Sequence, residues 1–180
     1  GGCQAGAPWL VRGLAGKRSL IMWQWAHLLG FNLYWLLAVT WQQPSPLLGM
    51  LLLHFIFSPR RGQDWRLIPV ALAGCLLDIL LWRLGLFHFP SGFPLWLLLL
   101  WCGFALTLSH GLRWLRPLPR WQQGLFGMVG GASSYMAGAA MGAVNLPWGI
   151  WTSAVLLAVI WMWWLPVLLW VTVKLEGETR

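Results

Sequence analysis

Charged side chains are scarce in this sequence. Only 9% of its 180 residues are Asp, Glu, Lys or Arg, and only four are acidic, whereas 59% are hydrophobic. A soluble domain of this size could not remove so much apolar surface from water. The shortage of charge therefore excludes a soluble globular protein and predicts an all-α, polytopic membrane protein.

Cysteines are also few, and the familiar catalytic motifs are missing. Cys3, Cys75 and Cys102 have no metal-ligand spacing, and two of them fall inside predicted spans, so we expect neither a disulfide nor a metal site. The sequence has no phosphate-binding loop, GxSxG, HExxH, CxxC or paired carboxylates. These absences give no reason to expect a cofactor. The net charge of +8 comes without a base-reading motif, which argues against nucleic acid as a partner.

What the sequence does have is a series of six apolar runs, which predicts six transmembrane helices in a compact bundle. The second run is short, because twelve helical residues extend only about 18 Å and a bilayer core is about 30 Å thick. We divide the chain into an N-terminal tail (1–19), a transmembrane domain (20–173) and a C-terminal tail (174–180). The predicted spans are Leu20–Thr40, Leu47–Ser58, Leu67–Leu84, Pro94–His110, Gly124–Val144 and Ile150–Val173.

The positions of the basic residues predict the orientation of these spans. If the loops alternate between two sides, eleven of the twelve Lys and Arg residues lie on one side and only Arg83 lies on the other. Cytoplasmic loops carry an excess of basic residues. We therefore expect both termini in the cytoplasm, and the short second run is counted as crossing because it preserves this pattern.

The fifth run, Gly124–Val144, differs from the others because it is rich in small residues. Its glycines recur at intervals that place them on one helical face. Small residues let two helices in a membrane approach closely, so we expect this face to pack against a neighbouring helix. A passage lined by its backbone is the alternative. The predicted packing glycines are Gly127, Gly131, Gly138 and Gly142.

Asp78 is the one acidic residue inside a predicted span, and an intramembrane carboxylate is a functional-site hypothesis by default. Counted inward from the external ends of their spans, Asn32, His54 and Tyr135 lie at a similar depth, about 9 to 13 Å. The four side chains are therefore our candidate polar site, and His54 is the expected partner of Asp78. Separate structural hydrogen bonds are the alternative reading. His110, close to a helix end, is interpreted as interfacial rather than as a metal ligand.

Several stretches together resemble a known family. They are FNLYWLLAV (31–39), LAGCLLDILLWRLGLFHFP (72–90), PLWLLLLWCGFALTLSHGLRWL (94–115) and the glycine-rich run 124–144. The combination is similar to a bacterial inner-membrane family known as domain-of-unknown-function family 2878. Ala132 stands where a proline is expected in that family. The resemblance implies a bacterial inner-membrane location and a span pattern, and it implies no mechanism.

Three kinds of function remain compatible with these observations. The chain could be a small permease or proton-coupled carrier, a membrane-embedded enzyme that modifies lipids with Asp78 and His54 as an acid–base pair, or a non-catalytic scaffold for another membrane protein. We favour a bilayer protein that binds a hydrophobic or lipid-like ligand in the polar layer around Asp78.

Overall fold

The computed structural model describes residues 8–177, and it is all-helical, with no strand in that range. Side chains are described for residue 19 and for residues 21–177. Two single-turn 3-10 helices, at Trp65–Leu67 and Arg113–Leu115, join the longer elements. The α-helices are α1 (Pro8–Trp41), α2 (Pro44–Phe57), α3 (Arg61–Asp64), α4 (Ile68–Arg83), α5 (Leu95–Ser109), α6 (Arg120–Ala140) and α7 (Ile150–Glu176).

Three connections meet at one end of the helical bundle. The loop after α4 pairs with the loop after α6, where His88 and Asn145 form an isolated antiparallel bridge with two backbone hydrogen bonds of 2.9 and 3.1 Å. The turn after α1 reaches the same place, because Gln42 Nε2 donates to the Gly142 carbonyl at 3.4 Å. The connections that follow α1, α4 and α6 therefore share one end.

The segment before α4, the segment between α5 and α6, and the end of α7 meet at the opposite end of the bundle. Asp64, which precedes α4, accepts a hydrogen bond from His110, which follows α5. Arg116, just before α6, contacts Glu176 at the end of α7. Successive long helices thus run in alternating directions. Basic residues of the connecting segments and helix ends are concentrated at this second end, at Arg60, Arg61, Arg66, Arg113, Arg116, Arg120 and Lys174.

Close packing of α6 on α7 depends on glycine. A side-chain carbon on Gly127 would overlap the backbone carbonyl oxygen of Trp161, and one on Gly131 would overlap the Trp161 indole. Gly138 is also buried, but a side-chain carbon placed there would meet only Val39 of α1, at an ordinary contact distance of 3.9 Å. The small-residue face of α6 therefore packs on α7 through its first half and approaches α1 near its end.

The helix boundaries differ from the predicted span boundaries, and they make one prediction wrong. α1 begins at Pro8, so part of the predicted tail 1–19 is helical; Cys3 and residues 1–7 lie outside the described part of the chain. α6 ends at Ala140, so the prediction that Gly142 packs within the fifth helix is wrong. Gly142 has a φ of +76°, a conformation that glycine adopts without a side-chain penalty, and it turns the chain after the helix. α7 continues to Glu176, past the predicted end at Val173.

Two helical stretches, Arg61–Arg83 and Ile150–Glu176, are long and apolar enough to cross a membrane by length and composition. Pro44–Phe57 and Leu95–Ser109 are apolar but shorter. On the outer face of α4 and at the residue after it, exposed aliphatic side chains lie four residues apart and form a ridge, and α7 carries a similar ridge of valine and tryptophan side chains. The members of the two ridges are Ile68, Leu72, Leu76, Leu80, Leu84, and Trp151, Val155, Val159, Trp163, Val167.

Candidate functional site

Asp78 lies at the centre of the bundle and is completely buried. α4 positions it, because Ala71, Gly74 and Cys75 share its buried face. Trp101 Nε1 donates to Asp78 Oδ2 over 2.6 Å, and the Tyr135 hydroxyl donates to Oδ1 over 2.6 Å. The two donors bind separate oxygens, so both oxygens of this buried carboxyl group have a protein partner.

Two glycines and two tryptophans hold this hydrogen-bonded group in place. The Trp101 ring lies on the backbone of Gly74, and the Trp161 ring lies on the backbone of Gly131. The two indoles face each other with an interplanar angle of 4° and ring centroids 5.8 Å apart. Since any side chain at either glycine would displace an indole, the glycines set the position of the Trp101 N–H that binds Asp78.

A cavity of about 600 Å³ opens beside this group, bounded by α1, α5, α6 and α7. Its wall is mostly aliphatic and aromatic, and its polar lining residues include Asn32, Asp78, Thr107 and Tyr135. Small residues of α6 also line it, among them Gly130, Ser133 and Ala137. α6 therefore presents one small-residue face to α7 and another to the cavity. Further lining residues include Phe31, Trp35, Phe87, Phe89, Leu100 and Phe104.

The structure brings together only some of the four predicted site residues. Tyr135 contacts Asp78 directly. Asn32 lies at the cavity wall, and its side-chain amide donates to the Leu28 carbonyl of its own helix at 2.8 Å. His54 does not lie in this layer. The expectation that it is the partner of Asp78 is wrong, and the acid–base pair on which the enzyme hypothesis depended is not formed.

His54 instead belongs to a cluster around Asp64 at the basic end of the bundle. His54 Nε2 donates to Asp64 Oδ2 at 3.0 Å, His110 Nε2 donates to Oδ1 at 2.9 Å, and the Ser58 hydroxyl donates to Oδ2 at 2.7 Å. His27 stacks on the His110 ring, with centroids 4.8 Å apart. Three of the four histidines of the chain therefore meet at one place.

A second buried carboxylate lies at the same end. Glu176 accepts hydrogen bonds from both terminal nitrogens of Arg116, at 2.7 and 3.0 Å, and from the Ser109 hydroxyl. Arg60 approaches it at 3.8 Å. This ion-paired group ties the end of α7 to the segment before α6, and its donors satisfy a charge that would be costly alone.

Sequence reasoning missed Asp64 and Glu176 because both were assigned to polar segments outside the spans. Both are buried. His54 was misplaced for a related reason, since depth was counted from one end of its helix. α2 has only 14 residues, so a residue that is deep when counted from its N-terminus is close to its C-terminus. His54 lies four residues before Ser58, which follows the helix. The shortness of the predicted second span was the signal that could have revealed this.

Comparison with known proteins identifies a family without assigning an activity. The family model described as "Protein of unknown function (DUF2878)" matches residues 24–167, which include Asp78, the cavity and the three clustered histidines. No curated protein and no solved structure matches the chain. The match spans most of the sequence and agrees with the resemblance found in its apolar runs, and the chain belongs to the DUF2878 family.

Proposed function

We propose that this chain is an integral protein of the bacterial inner membrane, with six spans and both termini in the cytoplasm. The alternating directions of the long helices and the concentration of basic loop residues at one end support this arrangement. The exposed apolar ridges of α4 and α7 support it as well, because in a lipid environment these side chains are not exposed to water. The short helices α2 and α5 require local thinning of the bilayer or flanking residues at the interface.

The function that we propose is the binding of a hydrophobic, lipid-like ligand in the cavity beside Asp78. The observation that carries the proposal is the combination of about 600 Å³ of aromatic and aliphatic space with one carboxyl group at its wall. Ligand sites are typically apolar cavities of this size with a few precisely placed polar groups. A mainly apolar wall favours a hydrocarbon portion, and the polar wall atoms favour a single polar group.

The hydrogen bonds of Asp78 define the polar group that fits. Each carboxylate oxygen accepts one protein hydrogen bond and retains a further lone pair, but Asp78 has no exposed surface, so a ligand reaches it only when a neighbouring side chain moves aside. A ligand that donates a hydrogen bond through a hydroxyl or an amine complements these acceptor oxygens. We assign the cavity to a lipid-like molecule with a donor head group.

Lipid analysis of the purified protein tests this proposal. The chain is extracted in a mild detergent, and bound small molecules are identified by native and lipid mass spectrometry. We expect a stoichiometric apolar molecule with a hydroxyl or amine group. Gly130→Leu should displace it, because Gly130 lines the cavity and no atom lies within 4 Å of the position where its side chain would begin.

Val129→Leu is the matched control, since Val129 is adjacent in the same helix and 65% exposed. It should leave the bound molecule in place. Loss of the ligand in Gly130→Leu but not in Val129→Leu supports the cavity as the site. Equal retention in both variants, or the absence of any stoichiometric apolar molecule from the unmodified protein reconstituted with bacterial lipids, would reject it.

A further inference from the structure

The three clustered histidines converge from three separate segments of the chain. His27 lies in α1, His54 in α2 and His110 just after α5. One ring nitrogen of each can be chosen so that all three lie within 4.8 Å of one another. His27 Nδ1 is buried and has no hydrogen-bond partner among the described residues. A buried, unpaired ring nitrogen costs free energy unless something binds it.

Asp64 fixes the protonation of two of these rings. A carboxylate only accepts hydrogen bonds, so the Nε2 atoms of His54 and His110 both carry protons. His110 Nδ1 accepts from the Trp23 indole N–H at 3.2 Å, so it holds no proton and the ring is neutral. A neutral imidazole binds a metal ion through its unprotonated nitrogen. A carboxylate that accepts from the protonated nitrogen holds the ring in the orientation needed for binding.

From this geometry we propose that His27, His54 and His110 form a binding site for a divalent transition-metal ion of the Zn²⁺ class, with Asp64 orienting two of the three ligands. Imidazole nitrogen suits zinc, and three histidines leave a fourth position open for water or an exogenous ligand. Zinc–nitrogen bonds of about 2.0 to 2.1 Å require ring nitrogens about 3.3 Å apart, so the rings must move closer together. The His27 ring must also turn out of its stacked position on His110, because stacked rings direct their lone pairs into parallel planes. Trp23 then releases its hydrogen bond to His110.

The position of the site also permits entry of an ion. The His54 side chain is 13% exposed, whereas those of His110 and Asp64 are 2% and 1% exposed. The site is therefore reached past the part-exposed rings of His27 and His54, at the end of the bundle where Arg60 and Glu176 lie. It is separate from the Asp78 cavity, because none of the three histidines lines that cavity.

Metal titration of the full chain tests the proposal. The protein is purified in detergent through an affinity tag without histidine, treated with a chelator and titrated with Zn²⁺ in a calorimeter. We expect one Zn²⁺ per chain and no heat with Mg²⁺, which prefers oxygen ligands. Titration with Co²⁺ should give the visible absorption of a four-coordinate nitrogen site.

Variants locate the ion. His27→Ala and His54→Ala should each weaken Zn²⁺ binding by at least about 10-fold, and Asp64→Asn by about 10- to 100-fold through loss of ligand orientation. His88→Ala is the matched control, because His88 is exposed and its backbone pairs with Asn145 at the other end of the bundle. It should bind Zn²⁺ as the unmodified protein does.

Two results would overturn the site. One is the absence of stoichiometric Zn²⁺ and Co²⁺ binding by the unmodified protein, which needs no variant to fold. The other is Zn²⁺ affinity in His27→Ala and His54→Ala equal to that of His88→Ala. Neither result bears on the ligand of the Asp78 cavity, which is tested by lipid analysis.

Discussion

Trp101 donates its indole N–H to Asp78 Oδ2 over 2.6 Å while its ring lies directly on the backbone of Gly74. Asp78 and Gly74 are four residues apart and therefore share one face of α4. One helix thus supplies both the acceptor and the flat surface that positions the donor. The neighbouring helix α5 is fixed to α4 by a polar bond and by close ring-to-backbone packing at the same point.

Two substitutions of Asp78 should show whether the stability of the fold depends on a hydrogen-bond acceptor at this position or on a negative charge. Asp78→Leu leaves the Trp101 and Tyr135 donors without a partner, and each unsatisfied buried donor costs about 1 to 3 kcal/mol. Asp78→Asn keeps one carbonyl acceptor and should cost less. The loss of stability in each variant is measured as the change in the free energy of unfolding in detergent micelles. In the Asp78→Leu/Tyr135→Phe double variant the two losses should be less than additive; strict additivity would argue against the contact.

Adjacent glycines of α6 should respond in opposite ways to a large side chain. Gly131→Leu overlaps the Trp161 ring and should destabilise the fold by about 1 to 3 kcal/mol or more through overpacking. Gly130→Leu enters open space beside the cavity and should leave stability almost unchanged. Thermal unfolding of the two variants, compared with the unmodified chain, gives the difference. Equal tolerance at both positions would place Gly131 against lipid instead of α7.

The proposed topology predicts where reporter proteins will be active. A reporter fused after Gln43 lies at the end of the bundle that carries His88 and Asn145, and a reporter fused after Arg116 lies at the opposite, basic end. We expect periplasmic activity at the first site and cytoplasmic activity at the second. Paired phosphatase and fluorescent-protein fusions report the two compartments. The same compartment at both sites would eliminate the six-span arrangement.

Loss of the buried ion pair at the basic end should destabilise the protein strongly. In Arg116→Ala, Glu176 loses two charge-assisted hydrogen bonds while its side chain stays buried, which costs about 3 to 5 kcal/mol when one partner of such a pair is removed. Arg120→Ala, at an exposed position four residues along, should change stability by less than about 0.5 kcal/mol. Denaturation of both variants in micelles compares them. A loss in Arg116→Ala no larger than in Arg120→Ala would show that the pair is dispensable.

Local sequence predicted the helices and the face of α4 that carries Asp78. Apolar runs separated by Pro, Gly and Arg gave the six long helices with errors mainly at their ends, because caps and terminal turns depend on contacts beyond the run itself. The spacing of Ala71, Gly74, Cys75 and Asp78 follows from helical periodicity alone, so their shared buried face was predictable. Periodicity also predicted that Gly127 and Gly131 face a neighbouring helix.

The partners across helices were decided only by the tertiary structure. His27, His54 and His110 come from three segments, and Asp64 and Glu176 looked like polar residues of solvated ends; no spacing along the chain relates any of these groups. What brings them together is the length and alternating direction of the helices, which set which ends meet. Sequence periodicity determines which way a side chain points from its own helix, whereas the packing of whole helices determines what it finds there.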